Sequence, residues 1–445
     1  MEVVYRRCGG LDIHKDTIVA CVQVTGAGGA KDIRKCEFPA HLKGLEQLRW
    51  WLMASKVESV AMESTGVYWK PVWHVLEGRF PLLLANPSHM KNIPGRKTDQ
   101  KDAEWIADLH AHGLLKPSFV PRAEIQELRD LTRMRVKLKE EYNRIHNRIH
   151  KVLEDANIKL DMVAKDILGV TGRLIIGALI EGQHSAEWLA DKARGSLRGR
   201  REELRVVLRG HVTDHHRFLL RELMEEVQTV ERRIATLEMR LAEKMEPFSL
   251  QIERLTTIPG IDLIASWALI AELGTDMTVF PDAHHAASWA GLVPGSFESA
   301  GKRKSSRTRK GNRWIRRVLC QSAWAVSHKK NCYLTACFHR HVARAGVKKA
   351  IVATAHQILI IAYHILRDGT SYREQGGDYF DRLNPEKTQR RLTELLRRMG
   401  FEVVLKPLSA PQSSPSEPVE ASTPRRRAGR PCKCPERGTD CKHKH

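Results

Sequence analysis

The chain has 445 residues, enough for two to four domains. Lys and Arg number 74 against 52 Asp and Glu, a formal net charge of +22. An excess of that size argues against an ordinary small-metabolite enzyme and fits a polyanion binder. At 42% hydrophobic residues the chain is not disordered throughout, and 6% aromatics argue against a β-sandwich or a surface built mainly of stacked bases. The nine cysteines form no secreted disulfide framework, and the opening MEVVYRRCGG lacks the apolar core of a signal peptide. The longest apolar run, residues 350–366, is broken by His356, Gln357 and His364, so no membrane partner is expected. A cytoplasmic, reduced, nucleic-acid-bound protein is the expectation.

Residues 9–115 read as an α/β domain. Gly10–Val24 predicts two strands joined by the polar turn His14-Lys15-Asp16, and a third strand follows near Cys36-Glu37-Phe38. Leu42–Ala54 has helical apolar spacing, Ser59–Glu63 is a short β run, Trp69–Glu77 a helix, Pro81–Ala85 a buried strand and Asp99–His110 a helix. Three strands, helix, strand, helix, strand, helix is the element order of an RNase H-like domain.

Residues 121–250 change to long helices. Leu128, Leu131, Arg135, Leu138, Tyr142, Ile145, Ile149 and Val152 repeat at spacings of three and four, as do Leu220, Leu223, Val227, Val230, Ile234, Leu237 and Leu241. An antiparallel coiled coil, an inter-subunit one, or helices packed within one subunit would each produce this pattern. A mostly α unit over 254–370 opens with Ile258-Pro259-Gly260-Ile261, similar to the phosphate-contacting turn of helix–hairpin–helix domains. Residues 371–404 form an extension. Residues 405–445, rich in Pro and Ser and then basic, are expected to be a disordered tail. Its Cys432, Cys434, Cys441, His443 and His445 match no zinc-module spacing.

Two constellations carry chemistry. Asp12 falls within the first strand, where a carboxylate disfavours β structure, and Glu63 ends the fourth. Asp99 and Asp102, three apart, share one face of the last helix. Alone, that pair would serve as helix N-terminal acids; with the other two it makes a set that cations must hold apart, and oxygen donors suit Mg²⁺ or Mn²⁺. The second constellation runs from Gly291 to Leu319. From Lys302 to Arg317 it carries Lys302, Arg303, Lys304, Arg307, Arg309, Lys310, Arg313, Arg316 and Arg317 and no acid, a phosphate-contacting pattern. Ser299, in Glu298-Ser299-Ala300-Gly301, can be a turn residue or a nucleophile with arginines nearby. Ser296, Ser305 and Ser306 are chemically competent substitutes.

Five segments resemble one known family: GLDIHKDTIVACV (10–22), AMESTGVYW (61–69), KTDQKDAEWIADL (97–109), IPGIDLIASWALIAELG (258–274) and SWAGLVPGSFESAGKRKSSRTRKGNRWIRRVL (288–319). In that order they are similar to the transposases of the IS110 type, the IS1111-like branch in particular. The resemblance implies a RuvC-like N-terminal domain whose DEDD metal-binding set falls on Asp12, Glu63, Asp99 and Asp102. It further implies a C-terminal transposase domain whose nucleophilic serine falls on Ser299. Where the family commonly has Ser-Gly-Gly preceded by Ser, this chain has Ser299-Ala300-Gly301 preceded by Glu298. Implied partners are DNA (element ends and target), a guide or bridge RNA and further copies of the chain, as homodimer or homotetramer. The implied setting is the bacterial cytoplasm, at the nucleoid. The function so expected is excision and insertion of an insertion sequence. The alternative is a Mg²⁺-dependent endonuclease resembling a Holliday-junction resolvase, in which Ser299 only contacts phosphate.

Overall fold

The computed structural model describes residues 2–26, 28–64, 66–86, 90, 102–183, 185–295 and 307–406, and the backbone alone of 297–299 and 302–305. Asp99, Ser296, Ser306 and the tail from 407 lie outside the described residues. The chain divides into two units, Met1–Phe380 and Asp381–His445.

The first unit opens with a five-stranded sheet. β1 (Arg7–Ile13) and β2 (Thr17–Thr25) form a tight antiparallel pair in which Ile13 faces Ile18 and Arg7 faces Val24. β3 (Lys31–Pro39) adds antiparallel to β2 and is mostly exposed, with Lys31, Asp32, Arg34, Lys35 and Glu37 charged, which suits an edge. β4 (Ser59–Glu63) lies parallel to β1, and β5 (Leu82–Ala85) parallel to β4. The resulting order is β3-β2-β1-β4-β5.

Strand alternation divides the side chains between the two faces. Leu11, Ile13, Val60 and Met62 pack against α1 (Leu42–Ala54) and α2 (Trp69–Leu76) through Leu45, Leu48, Leu52, Val72 and Leu76. The opposite face carries Cys8, Gly10, Cys21 and Ala61, and receives α3 (Asp102–Ala111) through Ala103, Ile106, Ala107 and Leu109. A Cβ on Gly10 would sit 2.3 Å from the Ala103 carbonyl oxygen and 2.4 Å from the Ala107 nitrogen, so glycine at this position is what allows α3 to lie on β1. Burial pushes the Cys8 and Cys21 thiols up to about 12, leaving them as small apolar fillers.

α4 (Ala123–Asp155) extends about 50 Å at 1.5 Å per residue. Its partner is α8 (Asp214–Met245), and ion pairs linking Glu127 to Lys244, Arg135 to Glu238 and Arg148 to Glu226 make the two antiparallel. The two heptad stripes therefore meet within one chain: Leu138, Ile145 and Ile149 pack in one core with Val227, Val230 and Ile234. Between them α5 (Val170–Ile180), α6 (Ala186–Ala190) and α7 (Arg201–Val207) add Ile175, Leu179, Leu189 and Leu204 to that core.

The remaining helices are α9 (Ser249–Thr256), α10 (Leu263–Leu273), α11 (Ala283–Trp289), α12 (Arg313–Val326), α13 (Tyr333–Ala345) and α14 (Val347–Asp368). They share a core that also takes Ile125 and Leu128 of α4 and Leu241 of α8. α14 is long and apolar enough to cross a membrane by length and composition, yet Ala355, Ile358, Leu359 and Ala362 are wholly buried in this core. A short helix α15 (Tyr379–Leu383) precedes α16 (Pro385–Arg398), which lies in the second unit.

Candidate nucleic-acid-processing site

Three of the four predicted carboxylates share one face of the sheet. Asp12 follows Gly10 by two residues on β1 and so lies on the α3 side; Glu63 follows Ala61 in the same way on β4. The parallel register pairs Leu11 with Met62, so the next rung brings Asp12 beside Glu63 at the C-terminal strand ends. Asp102 is the first residue of α3, one position before the Ala103 that covers Gly10, and its Oδ1 is shielded from solvent. The positive end of the helix dipole stabilises a carboxylate there. Asp12 is 17% exposed, with His14 Nε2 3.2 Å from its Oδ2. Asp99 lies outside the described residues.

The other acids of α3 are committed elsewhere. Glu104 pairs with Lys35 at 2.5 Å, and Asp108 with Lys31 and Gln23. Burial opposes ionisation of Asp108, but Lys31 and Gln23 outweigh it and hold the carboxyl below its ordinary range. Among the described residues, the one group of three such ligands with donor atoms all within 4.8 Å is His150, Glu154 and Asp161, where Lys159 already pairs with Glu154. Asp12, Glu63 and Asp102 are not drawn so close, as befits three like charges. Hard oxygen donors from two strand ends and a helix N-terminus nevertheless fit a divalent cation.

The second constellation is a β-hairpin. β6 (Phe297–Ser299) and β7 (Lys302–Ser305) pair antiparallel, and Ser299 opposite Lys302 makes the last rung before Ala300-Gly301, which lie outside the described residues. The hairpin base is closed by the Gly295 N–H donating to the Arg307 carbonyl at 2.8 Å and by the Asn312 N–H donating to that of Trp289 at 3.0 Å. Gly291 and Gly311 cross there backbone to backbone; a Cβ on Gly311 would sit 2.3 Å from the Gly291 nitrogen. Side chains of Ser299, Lys302, Arg303, Lys304 and Ser305 lie outside the described residues. Arg307, Arg309, Lys310 and Arg313 are exposed.

The last two predicted phosphate contacts are engaged within the protein. Arg316 donates to the Gly291 carbonyl at 3.2 Å and to Thr308 Oγ1 at 2.9 Å, and Arg317 pairs with Glu140 of α4. Sequence reasoning also missed a hub. Glu272, only 2% exposed, accepts from Arg133 Nε and Nη2 at 2.7 and 2.8 Å and from Asn312 Nδ2 at 2.5 Å. Asn312 Oδ1 in turn caps α12 by accepting from the Trp314 N–H at 2.9 Å. Arg129 lies alongside, its guanidinium lowered to about 10 by burial against the opposing pull of Glu272. The available signal was a lone acid in the otherwise apolar Leu263–Leu273.

The expected phosphate-binding turn is built differently. Gly260 has φ +88° and packs on α12, where a Cβ would meet the Ser322 carbonyl oxygen at 2.6 Å. Asp262 caps α10 by accepting from the Ala265 N–H at 2.7 Å, which places a negative charge where a phosphate would have to sit.

Residues 9–158 match the DEDD model of IS110 transposases, described as "Transposase", and residues 252–339 match the model "Transposase IS116/IS110/IS902 family". The chain belongs to the IS110 family of transposases. Among relatives, a "Probable family 20 transposase" of Pseudomonas aeruginosa is 27% identical over 270 residues, 60% of this chain and 70% of its own length. An "Insertion element IS110 uncharacterized 43.6 kDa protein" of Streptomyces coelicolor is 32% identical over 123 residues, covering 27% of this chain and 30% of its own. The first model covers the carboxylate-bearing strands and α4, and the second the part of the helical unit up to residue 339 with the basic hairpin, so both constellations fall inside the transposase-matching regions.

Proposed function

We propose that this transposase excises and inserts its element with two cooperating sites on a RuvC-like domain and a serine hairpin. The observation that carries the reading is the placement of Asp12 beside Glu63, with Asp102 at the start of the helix covering the same face. Asp12, Glu63, Asp99 and Asp102 would hold divalent cations, Mg²⁺ or Mn²⁺. Such ions, when bound, neutralise phosphate charge and stabilise a leaving oxygen. Carboxylates on two strands and a helix end fix where the scissile phosphate lies. His14, adjacent to Asp12, limits how far that carboxylate can swing.

Ser299 Oγ attacks the phosphorus. The P–O3′ bond breaks, the 3′ oxygen leaves as a hydroxyl, and the serine proton is lost to solvent. A phosphoserine link to the 5′ end results, and attack by a different 3′ hydroxyl releases Ser299 and restores the DNA backbone. Arg307, Arg309, Lys310 and Arg313 hold the DNA by its phosphates. Target choice is made by a bridge RNA, and two or four copies act together.

The test is a denaturing gel for covalent protein–DNA adducts in cells carrying the element's flanking DNA. Wild type is expected to yield adducts that Ser299→Ala and Asp102→Ala both lose. Adducts that persist in Ser299→Ala would refute the serine. Cleaved DNA with free ends and no adduct in wild type would move the protein to the nuclease class.

A further inference from the structure

The basic surface that begins at the hairpin continues onto α12. On α12 the residues Arg313, Arg317, Gln321, Trp324 and His328, the last just beyond the helix, recur at three- and four-residue spacing and form one stripe. Ile315, Leu319, Ala323 and Val326 face the core instead. The stripe contains no acid, and Lys329 and Lys330 follow it on the surface. Trp324 is 50% exposed on this stripe, between Arg313 at one end and Lys329 and Lys330 at the other, while Arg317 is paired with Glu140. Its ring is braced edge-on by His328, with centroids 5.0 Å apart and planes at 77°, and His328 Nδ1 is 3.0 Å from the Trp324 carbonyl oxygen. Glu140 pairs with Arg317, and Asp262 accepts from the Ala265 N–H in its helix cap.

An exposed indole with cations at both ends of its stripe is suited to base stacking, where the π-face holds any base and cations hold the backbone. Duplex DNA keeps its bases inside and offers such a ring little. We propose that Trp324 is a stacking platform for an unpaired nucleotide of a strand whose phosphates run along α12 from the basic hairpin. The inference rests on nucleic-acid binding by that hairpin, as proposed above. Eleven residues of helix separate Arg313 from Trp324, about 16 Å at 1.5 Å per residue. At about 3.4 Å per stacked nucleotide the platform meets the base some five nucleotides beyond the phosphate held at Arg313.

The experiment measures binding of the full chain to labelled 20-nucleotide single-stranded DNA, the same RNA sequence, and the matching DNA duplex, across a salt series. Trp324→Ala is expected to weaken single-strand binding about 5- to 150-fold, the worth of one base–aromatic stack. Duplex binding and the salt slope should stay unchanged, since no counterion is released by an indole. Trp324→Phe should recover most of the loss, and whichever strand suffers it identifies the source of the unpaired base. Arg309→Ala is the contrasting variant: it should weaken all three ligands and flatten the salt slope.

Unchanged single-strand binding by Trp324→Ala overturns the platform while leaving the hairpin reading intact. Equal loss on duplex and single strand also overturns it, as does a smaller assembly in sedimentation with strand binding intact, which would make the stripe a subunit contact. Failure of wild type to bind any of the three ligands refutes the hairpin reading together with the platform.

Discussion

Gly10→Ala should damage the carboxylate site without touching a carboxylate. The added methyl would start 2.3 Å from the Ala103 carbonyl oxygen, about 1 Å short of ordinary contact at 3.4 Å, and both opposing atoms are backbone. Neither can rotate away, so α3 must lift from β1 by roughly 1 Å and carry Asp102 with it. Overpacking of this kind costs about 1–3 kcal/mol, and a displacement of about 1 Å in a reacting constellation can cost about 100-fold in rate. Gly9→Ala is the matched control. It faces the other side of the sheet, where its Cβ would approach only the Leu52 and Val60 side-chain methyls at 3.3 Å, and those can give way. Urea unfolding and single-turnover strand cleavage, measured on both variants, decide the matter. The expected result is a lowered midpoint and a cleavage loss of about 100-fold for Gly10→Ala, with Gly9→Ala close to wild type. If the two variants behave alike, close packing of α3 on Gly10 does not position the site.

Four further outcomes are expected. His110 is buried against Ser59, whose hydroxyl donates to the Pro81 carbonyl and therefore receives the imidazole Nε2–H; burial lowers this histidine to about 4. The unfolded chain then binds the extra proton more readily, so stability present above about pH 6.5 falls by about 3 kcal/mol as pH drops toward 4. His110→Gln should flatten that part of the curve in urea titrations. Glu272→Ala strands Arg133 and Arg129 and frees the Asn312 amide, at a cost of about 3–5 kcal/mol for a broken buried pair, read as a lower unfolding midpoint; an unchanged midpoint would remove Glu272 as the hub. Millimolar Mg²⁺ or Mn²⁺ should raise the melting temperature of wild type by mass action, and Asp12→Asn should abolish that rise. Asp12→Ala and Ser299→Ala should each abolish excision while DNA binding, followed by mobility shift, survives.

The sheet was legible because its signals are local. The apolar runs of β1 and β2, the polar turn between them and the short Ser59–Glu63 run each lie within a few residues, and the structure places these strands within three residues of where the pattern puts them. The carboxylates stood out for the same reason, as acids where β structure disfavours them. Long-range facts left no such trace. Glu272 meets Arg133 across 139 positions and Asn312 across 40, and nothing in either neighbourhood announces the other. The helices between the two heptads were also unmarked: Val170–Ile180 is apolar on nearly every side, so it shows no period to read. The basic run presented nine equivalent cations, and only packing against Gly291, Thr308 and Glu140 separates Arg316 and Arg317 from the exposed ones.

Both constellations are positioned by the same physical device. At the carboxylates, Gly10 lets a helix backbone rest on a strand backbone; at the hairpin base, Gly291 and Gly311 let two chain segments cross at backbone distance. In each case the adjacent element hangs from main-chain contact rather than from a long side chain with several rotatable bonds. Such contacts leave little positional slack, because backbone atoms cannot retreat by changing rotamer. They also demand glycine at fixed positions, so Gly311→Ala should resemble Gly10→Ala in kind: a misplaced hairpin in a protein that still folds. Its signature would differ, however. Gly311→Ala should weaken the salt-dependent hold on DNA and the formation of any covalent adduct, whereas Gly10→Ala should leave DNA binding intact and remove cleavage. Identical losses in the two variants would mean that the two sites are not positioned separately, and that a single rigid unit carries both.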